Sequence, residues 1–143
     1  MKALLGDAIV FFDSECLLCD RAVQWLVRLD AAGRLQFAPL GGETFARLKS
    51  EGADTAGFAG KRTMVLARRK HGGEWRLSSQ SDAVIGALEV ARGAPRCLAV
   101  LRVIPRPVRD LGYRTVAAVR YHVFGKVAAC SLAKGAEQAR LLP

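Results

Sequence analysis

The sequence lacks any apolar run long enough to cross a bilayer, which needs about 18 residues. The apolar stretch from Cys97 to Ile104 is interrupted by Arg102 and stopped by Pro105. After Met1, one lysine and four apolar or small residues precede Asp7, a segment too short and too acidic for a signal peptide. We therefore expect a cytoplasmic protein without a transmembrane segment.

Cysteine and histidine are scarce, with four and two in 143 residues. Structural disulfides are rare in the cytoplasm, so a close cysteine pair there is more often catalytic or metal-binding. A structural zinc site needs four ligands, usually as two close pairs. Beyond one such pair, the remaining candidate ligands are isolated in sequence: Cys97, Cys130, His71 and His122. A glycine-rich phosphate loop and a nucleotide fingerprint are also missing, so we expect neither a metal nor an organic cofactor.

Acidic residues are nearly absent from the C-terminal third. From Arg92 to Lys134 there are nine basic residues and one acid, Asp110, whereas the first 72 residues carry eleven bases and eight acids. Most of the net charge of +9 therefore lies in this segment. It is either a solvated helical face or a surface for an anionic partner, such as a phosphate, a nucleic acid, a membrane or an acidic protein.

Hydrophobic residues make up 51% of the chain, enough for the core of one compact domain. Ala8 to Phe12 is a continuous apolar run, typical of a central strand that is buried on both faces. A helical pattern follows as far as Leu29, and Leu35 to Pro39 alternates like a second strand, which indicates a parallel β-α-β unit. A short second helix is predicted from about Thr44 to Glu51.

The second half of the predicted sheet is a hairpin, Thr63 to Ala67 and Glu74 to Ser78, joined at Lys70 to Gly73. Ser79 or Ser81 then caps a helix that leads to Gly93. The order β-α-β-α-β-β-α predicts an α/β, thioredoxin-like domain with a four-stranded mixed sheet over residues 1–93.

Residues 94–143 are predicted to form a basic helical C-terminal extension packed on the same domain. Its helices run from Arg96 to Ile104 and from Val108 to Phe124. Pro105 and Pro107 separate them, because proline interrupts the backbone hydrogen bonds of a helix.

The close cysteine pair is Cys16-Leu17-Leu18-Cys19, placed where the first strand gives way to a helix. A thiol at a helix N-terminus faces unpaired backbone N–H groups and the positive end of the helix dipole, and both favour the thiolate. A cysteine three residues further on lies one turn deeper on the same face, where it can resolve a mixed disulfide. We predict Cys16 as the nucleophile and Cys19 as the resolving thiol. Inert packing of both cysteines is the alternative.

Two other residues are candidates for a part in this chemistry. Asp13, three residues before Cys16, is either a helix N-cap, a position that Ser14 could share, or a proton acceptor for Cys19. Cys130 is either a buried cysteine or a third thiol that exchanges with the pair.

Substrate docking has three further candidates. Many thioredoxin-fold enzymes place a cis-proline just before the third strand, facing the dithiol, but here Arg62 and Thr63 occupy that approach. Without proline a cis bond costs about 3 kcal/mol, so we expect docking to differ and assign it to these two side chains. Ser81 is either a helix cap or a substrate-binding hydroxyl.

These motifs resemble the DCC family of thiol-disulfide oxidoreductases, named for an Asp-Cys-Cys signature that Asp13, Cys16 and Cys19 match. The resemblance spans nearly the whole chain and continues through Arg21-Ala22-Val23, Phe37-Ala38-Pro39-Leu40, Ser81-Asp82-Ala83, Ile104-Pro105, Arg109-Asp110, Tyr113, Arg120-Tyr121, Phe124-Gly125 and Cys130. It implies a thioredoxin-like fold and a dithiol that exchanges with disulfide-containing substrates and is reset by an external thiol reductant.

The leading hypothesis is therefore a small cytoplasmic thiol-disulfide oxidoreductase that needs no organic cofactor. A second hypothesis is a non-catalytic thioredoxin-like binding module, whose basic C-terminal helices recruit an anionic partner. A third is a zinc-binding structural protein.

Overall fold

The computed structural model describes residues 7–13, 16–58, 63–92, 96–123 and 125. Its elements are β1 (Ala8–Phe12), α1 (Leu17–Leu29), β2 (Leu35–Pro39), α2 (Glu43–Ser50), β3 (Val65–Arg69), β4 (Trp75–Ser79), α3 (Gln80–Arg92), α4 (Arg96–Val103) and α5 (Arg106–Val123). The predicted α/β class and the thioredoxin-like order β-α-β-α-β-β-α are confirmed.

The four strands form one mixed sheet in the order β2-β1-β3-β4. β1 pairs in parallel with β2 and antiparallel with β3, and β3 pairs antiparallel with β4. All of β1 is buried, because side chains alternate between the two faces of a strand and both faces are covered. Val10 and Phe12 pack with α1 and α3, whereas Ile9 and Phe11 pack with α2. This central strand leads directly into the Cys16 segment.

β1 and β2 have their predicted limits, but the hairpin strands are shifted. β3 begins at Val65 rather than at Thr63, and β4 runs from Trp75 to Ser79 rather than from Glu74 to Ser78. The backbone N–H of Met64 donates to the Tyr113 hydroxyl on α5 at 2.8 Å. Because the Met64 N–H has this partner outside the sheet, strand pairing begins at the next residue, Val65.

The predicted turn between β3 and β4 is confirmed. The backbone N–H of Lys70 donates to the Glu74 carbonyl at 2.8 Å and closes the hairpin. Gly73 has a φ of 83°, a left-handed conformation that glycine adopts without the steric cost of a Cβ atom.

α3 lies close against β3, which fixes the start of the helix near the dithiol end of the sheet. A Cβ atom on Gly86 would come within 2.6 Å of Leu66 Cδ2, so a larger residue there would displace the Leu66 side chain. At the helix start, the backbone N–H of Gln80 donates to the Met64 carbonyl at 3.2 Å. Gln80 has a φ of 56°, which is uncommon for a residue with a Cβ atom.

The remaining helix limits differ from the prediction mainly at α5. α2 starts one residue earlier, at Glu43, and α4 ends at Val103. α5 starts at Arg106 rather than at Val108, so Pro107 does not separate the last two helices. Proline is tolerated there because its missing N–H falls in the first helical turn, where no hydrogen bond within the helix is lost.

Ion pairs attach α4 and α5 to α3. Arg106 and Arg109 both pair with Asp82, at 3.0 and 3.1 Å, and Arg102 pairs with Glu89. Three of the nine basic residues that the sequence offered for an anionic partner are therefore paired with acids of the same chain. In the described part of the chain, no helix combines the length and hydropathy needed to cross a membrane.

Candidate active site

The two thiols of the Cys-x-x-Cys motif lie at the N-terminus of α1. Cys16 is the N-cap residue, with extended backbone (φ −94°, ψ 121°), and its Sγ accepts a hydrogen bond from the backbone N–H of Cys19 at 3.4 Å. Helix caps usually carry an oxygen acceptor, whereas here a sulfur takes that place. No disulfide joins Cys16 and Cys19 in this structure. A backbone N–H directed at sulfur is the kind of donor that thiolates accept at helix N-termini.

Burial distinguishes the two cysteines. Cys16 has no exposed surface, whereas 9% of Cys19 is exposed. Close by, the backbone N–H of Leu17 donates to the carbonyl of Gly125, just beyond α5, at 3.4 Å. Gly125 thus lies against the first residue of α1.

Tyr113 on α5 makes polar contacts with the chain just before β3, beside the dithiol. The Tyr113 hydroxyl accepts hydrogen bonds from the Met64 backbone N–H, at 2.8 Å, and from the Thr63 hydroxyl, at 3.1 Å. Thr63 and Met64 immediately precede β3, where the sequence predicted substrate docking. Both donors are already used by a side chain of the same protein.

A carboxylate from α5 occupies the N-terminus of α3. The Ser81 hydroxyl donates to Asp110 Oδ1 at 2.5 Å, and the Ser81 backbone also hydrogen-bonds this carboxylate. These bonds, together with the positive charges of Arg106 and Arg109, lower the pKa of Asp110 despite partial desolvation. Asp110 therefore remains ionised and stabilises the positive end of the α3 dipole.

An apolar cavity of about 210 Å³ lies between α1, α3, α5 and the start of β3. Its lining is almost entirely apolar and includes Cys19 of the motif. The lining side chains are Leu18, Cys19, Ala22, Met64, Val84, Tyr113, Val116 and Ala117. Cys16 is not one of these lining residues, so the cavity reaches the dithiol from the Cys19 side.

The predicted site residues differ in position and in what they contact. Asp13 lies just before the dithiol, and its carbonyl accepts the Cys16 backbone N–H at 3.2 Å. The N-cap predicted at Asp13 or Ser14 is instead Cys16 itself. Thr63 hydrogen-bonds Tyr113 and Ser81 hydrogen-bonds Asp110, and both partners lie on α5. Ser81 lies inside the first turn of α3, whereas Ser79 comes immediately before that helix.

The roles assigned to Arg62 and Cys130 fall outside the described residues and stay predictions. Among the residues that the structure does describe, no three His, Cys, Asp or Glu side chains come close enough to hold a metal ion together.

Sequence reasoning missed three residues that shape this region. Tyr113 and Asp110 attach α5 to the sheet and to α3. Asp20 follows Cys19 directly, is 2% exposed, and accepts a hydrogen bond from Gln24 at 3.0 Å. Tyr113 and Asp110 belonged to the family resemblance, but their spacing did not show what they contact. The signal for Asp20 was its position on the buried face of α1, next to a predicted site residue.

A four-stranded mixed sheet with a Cys-x-x-Cys pair at the N-terminus of its first helix defines a thioredoxin-like dithiol protein. The chain belongs to the DCC1-like thiol-disulfide oxidoreductase family, whose sequence model matches residues 10–126. It is 32% identical over 140 residues to an uncharacterized protein, YuxK, of Bacillus subtilis, covering 97% of this chain and 96% of that one. No solved structure matches it.

Proposed function

We propose that this protein exchanges its Cys16–Cys19 dithiol with substrate disulfides and is reset by an external thiol reductant. The backbone N–H of Cys19 directed at Cys16 Sγ carries the proposal, because it stabilises the thiolate that disulfide exchange requires. Cys19, one turn further along α1, supplies the second sulfur of the intramolecular disulfide. Membership of a thiol-disulfide oxidoreductase family supports a redox role.

The proposed reaction transfers two electrons and requires no organic cofactor. A thiolate of the pair attacks the substrate disulfide and releases one substrate thiol. The partner thiol then attacks the mixed disulfide, which forms the Cys16–Cys19 disulfide and releases the second substrate thiol. Asp13 lies beside the pair and is the proposed proton acceptor during resolution. A cytoplasmic location would supply thiol reductants to complete the cycle.

A redox titration of the pair tests this function. The protein is equilibrated in glutathione or dithiothreitol buffers, alkylated, and the Cys16–Cys19 disulfide is quantified by mass. We expect a reversible two-electron transition between about −180 and −280 mV, the range of known dithiol enzymes. A pair that forms no disulfide at any potential would contradict the proposal.

The alternative of a binding module with an anionic partner has less support. Arg102 is paired with Glu89, Arg106 with Asp82 and Asp110, and Arg109 with Asp82. Their charges are therefore partly neutralised within the protein. Strongly salt-dependent binding that survives replacement of Cys16 would favour this alternative over disulfide exchange.

A further inference from the structure

A basic groove lies at the end of the sheet opposite the dithiol. It has a volume of about 880 Å³ and lies between the residue before β1 and the β3–β4 hairpin. Its charged lining residues are Asp7, Arg68, Arg69, Lys70 and Arg76. We propose that this groove binds a small anion with two or more phosphate groups, at a site separate from the dithiol.

The strand register places the groove away from the dithiol. Ala8, the first residue of β1, pairs with Arg68, whereas Phe12 at the other end of β1 leads into the Cys16 segment. β1 has five residues, and at about 3.3 Å per residue its two ends are roughly 15 Å apart. A ligand in the groove therefore leaves the dithiol free for a substrate disulfide.

Two arginines of the groove lie directly opposite each other in the hairpin. Arg68 on β3 is the register partner of Arg76 on β4, so both side chains are on the same face of the sheet. Like charges at directly opposite positions destabilise a pair of strands. The ion pair between Arg68 and Glu89 is long, at 3.9 Å, and Glu89 is shared with Arg102. An anion bound between the two guanidinium groups would replace this repulsion with attraction.

The other cations of the groove also keep their charge. Among the residues that the structure describes, no carboxylate forms an ion pair with Arg69, Lys70 or Arg76. The Arg69 guanidinium lies over the Trp75 ring, 4.6 Å from its centroid, a contact that positions the group without removing its charge. Asp7 is the one acid in the described lining. The groove therefore carries an excess of positive charge.

The turn of the hairpin adds backbone donors to the groove. The N–H of Gly73 donates to the Lys70 carbonyl at 2.9 Å and helps to close the turn. Within the described chain, the N–H groups of His71 and Gly72 between them donate to no protein acceptor. Both residues line the groove. Successive free N–H groups in a turn form a concave site for an anion.

Phosphate is the anion that fits these donors best. A guanidinium group binds phosphate through two parallel N–H bonds. The groove has two groups of donors, the arginine pair on the strands and the free N–H groups with Lys70 at the turn. One phosphate at each group accounts for both, and the volume of about 880 Å³ lies within the usual range for small-molecule sites.

The aromatic residue of the hairpin favours a small ligand over a nucleic-acid strand. Proteins that bind single strands stack successive bases on free aromatic rings. Here Arg69 lies over the Trp75 ring, and Trp75 does not line the groove. The indole N–H also donates to Glu51 at 3.0 Å, which fixes the ring in place. The groove thus offers contacts to phosphates rather than to bases.

Calorimetric titration of the full-length protein with inorganic triphosphate tests the site. We expect saturable one-to-one binding that weakens as salt is added, because salt screens exposed charges. Orthophosphate should bind about tenfold more weakly or worse, since it reaches only one of the two groups of donors. The proposal is overturned if triphosphate shows no saturable binding at low ionic strength, or if orthophosphate binds equally well.

Two variants with the same loss of charge provide the control. Arg76→Gln removes one member of the arginine pair, whereas Arg114→Gln removes an exposed arginine of α5 outside the groove. We expect Arg76→Gln to weaken triphosphate binding by about tenfold and Arg114→Gln by less than about twofold. Equal losses would mean attraction to net charge alone and would overturn the site. Arg76→Gln should unfold at no lower temperature than the wild type, because it relieves a like-charge pair.

A short single-stranded oligothymidine tests the class of ligand. We expect it to bind more weakly than triphosphate at the same salt concentration, because the groove has no free aromatic ring for its bases. Tighter binding that Arg76→Gln abolishes would make the groove a nucleic-acid site and overturn the proposal. None of these measurements depends on the dithiol, so they test the groove separately from disulfide exchange.

Discussion

The helices α1 and α3 pack on the same face of the sheet, but their N-termini have different hydrogen-bond acceptors. At α1, the cap is the sulfur of Cys16, which accepts a backbone N–H from three residues further along the same helix. At α3, the acceptor is the carboxylate of Asp110, which comes from α5. A helix needs an acceptor at this end, but a carboxylate is inert there whereas a thiolate is reactive. The difference separates the proposed site of chemistry from a structural attachment.

Removing either thiol of the pair should have the largest effect. Cys16→Ser and Cys19→Ser should each abolish the reversible dithiol–disulfide transition, because two sulfurs are needed to hold two electrons. The loss is measured by alkylation and mass in a redox titration. Cys130→Ser serves as the control: an unchanged transition leaves the pair sufficient, whereas an altered one would make Cys130 the predicted third thiol.

Removing the Tyr113 hydroxyl should have the next largest effect. Tyr113→Phe leaves the buried donors of Met64 and Thr63 without their acceptor, at a cost of about 1–3 kcal/mol in the free energy of unfolding. Thr63→Val removes only one donor and should cost less. Urea denaturation compares the two variants. Equal stability of Tyr113→Phe and the wild type would show that this contact does not hold α5 on the sheet.

Asp110 should contribute to stability through both acceptor and charge. Asp110→Ala removes the cap of α3 and should lower the free energy of unfolding by about 0.5–2 kcal/mol. Asp110→Asn keeps an acceptor but loses the charge. Neither should move the redox potential of the pair, since the attachment is separate from the chemistry. A shifted potential with full stability would mean that the two helix ends are coupled.

The charge effect of Asp110 has a definite pH dependence. Its pKa is lower in the folded protein, so the stability it contributes is present above the unfolded pKa of about 3.9 and is lost as the pH falls through the folded value. Wild-type stability should therefore fall more steeply than that of Asp110→Asn as the pH drops below about 5. Parallel acid curves would contradict an Asp110 charge effect.

The smallest effect is expected at the outer ion pair between α4 and α3. Arg102 is 56% exposed and pairs with Glu89. Arg102→Ala should change the free energy of unfolding by less than about 1 kcal/mol, because solvent screens exposed pairs. Thermal unfolding at low and high salt measures this contribution. A larger, salt-insensitive loss would show that α4 depends on this arginine for more than an exposed ion pair.

Most of the fold was predictable because its signals are local. The apolar run of β1, the helical spacing of α1 and the glycines of the hairpin each lie within a few residues. One error came where a distant group intervened, and another at the start of a helix. β3 starts late because Tyr113, 49 residues away in sequence, takes the Met64 N–H. Pro107 was interpreted as a break because the sequence did not show that α5 begins one residue before it.

The sequence by itself determined the order of elements and the position of the dithiol, since a strand, a turn and a helix with two cysteines are all encoded between Ala8 and Leu29. Only the tertiary structure decided how that dithiol is enclosed. The bond from Ser81 to Asp110 joins residues 29 positions apart, and the cavity at Cys19 needs walls from three helices. Spacing along a chain fixes which residues share a helix face, but packing decides which faces meet. For this protein, packing therefore decided which side chains surround the dithiol.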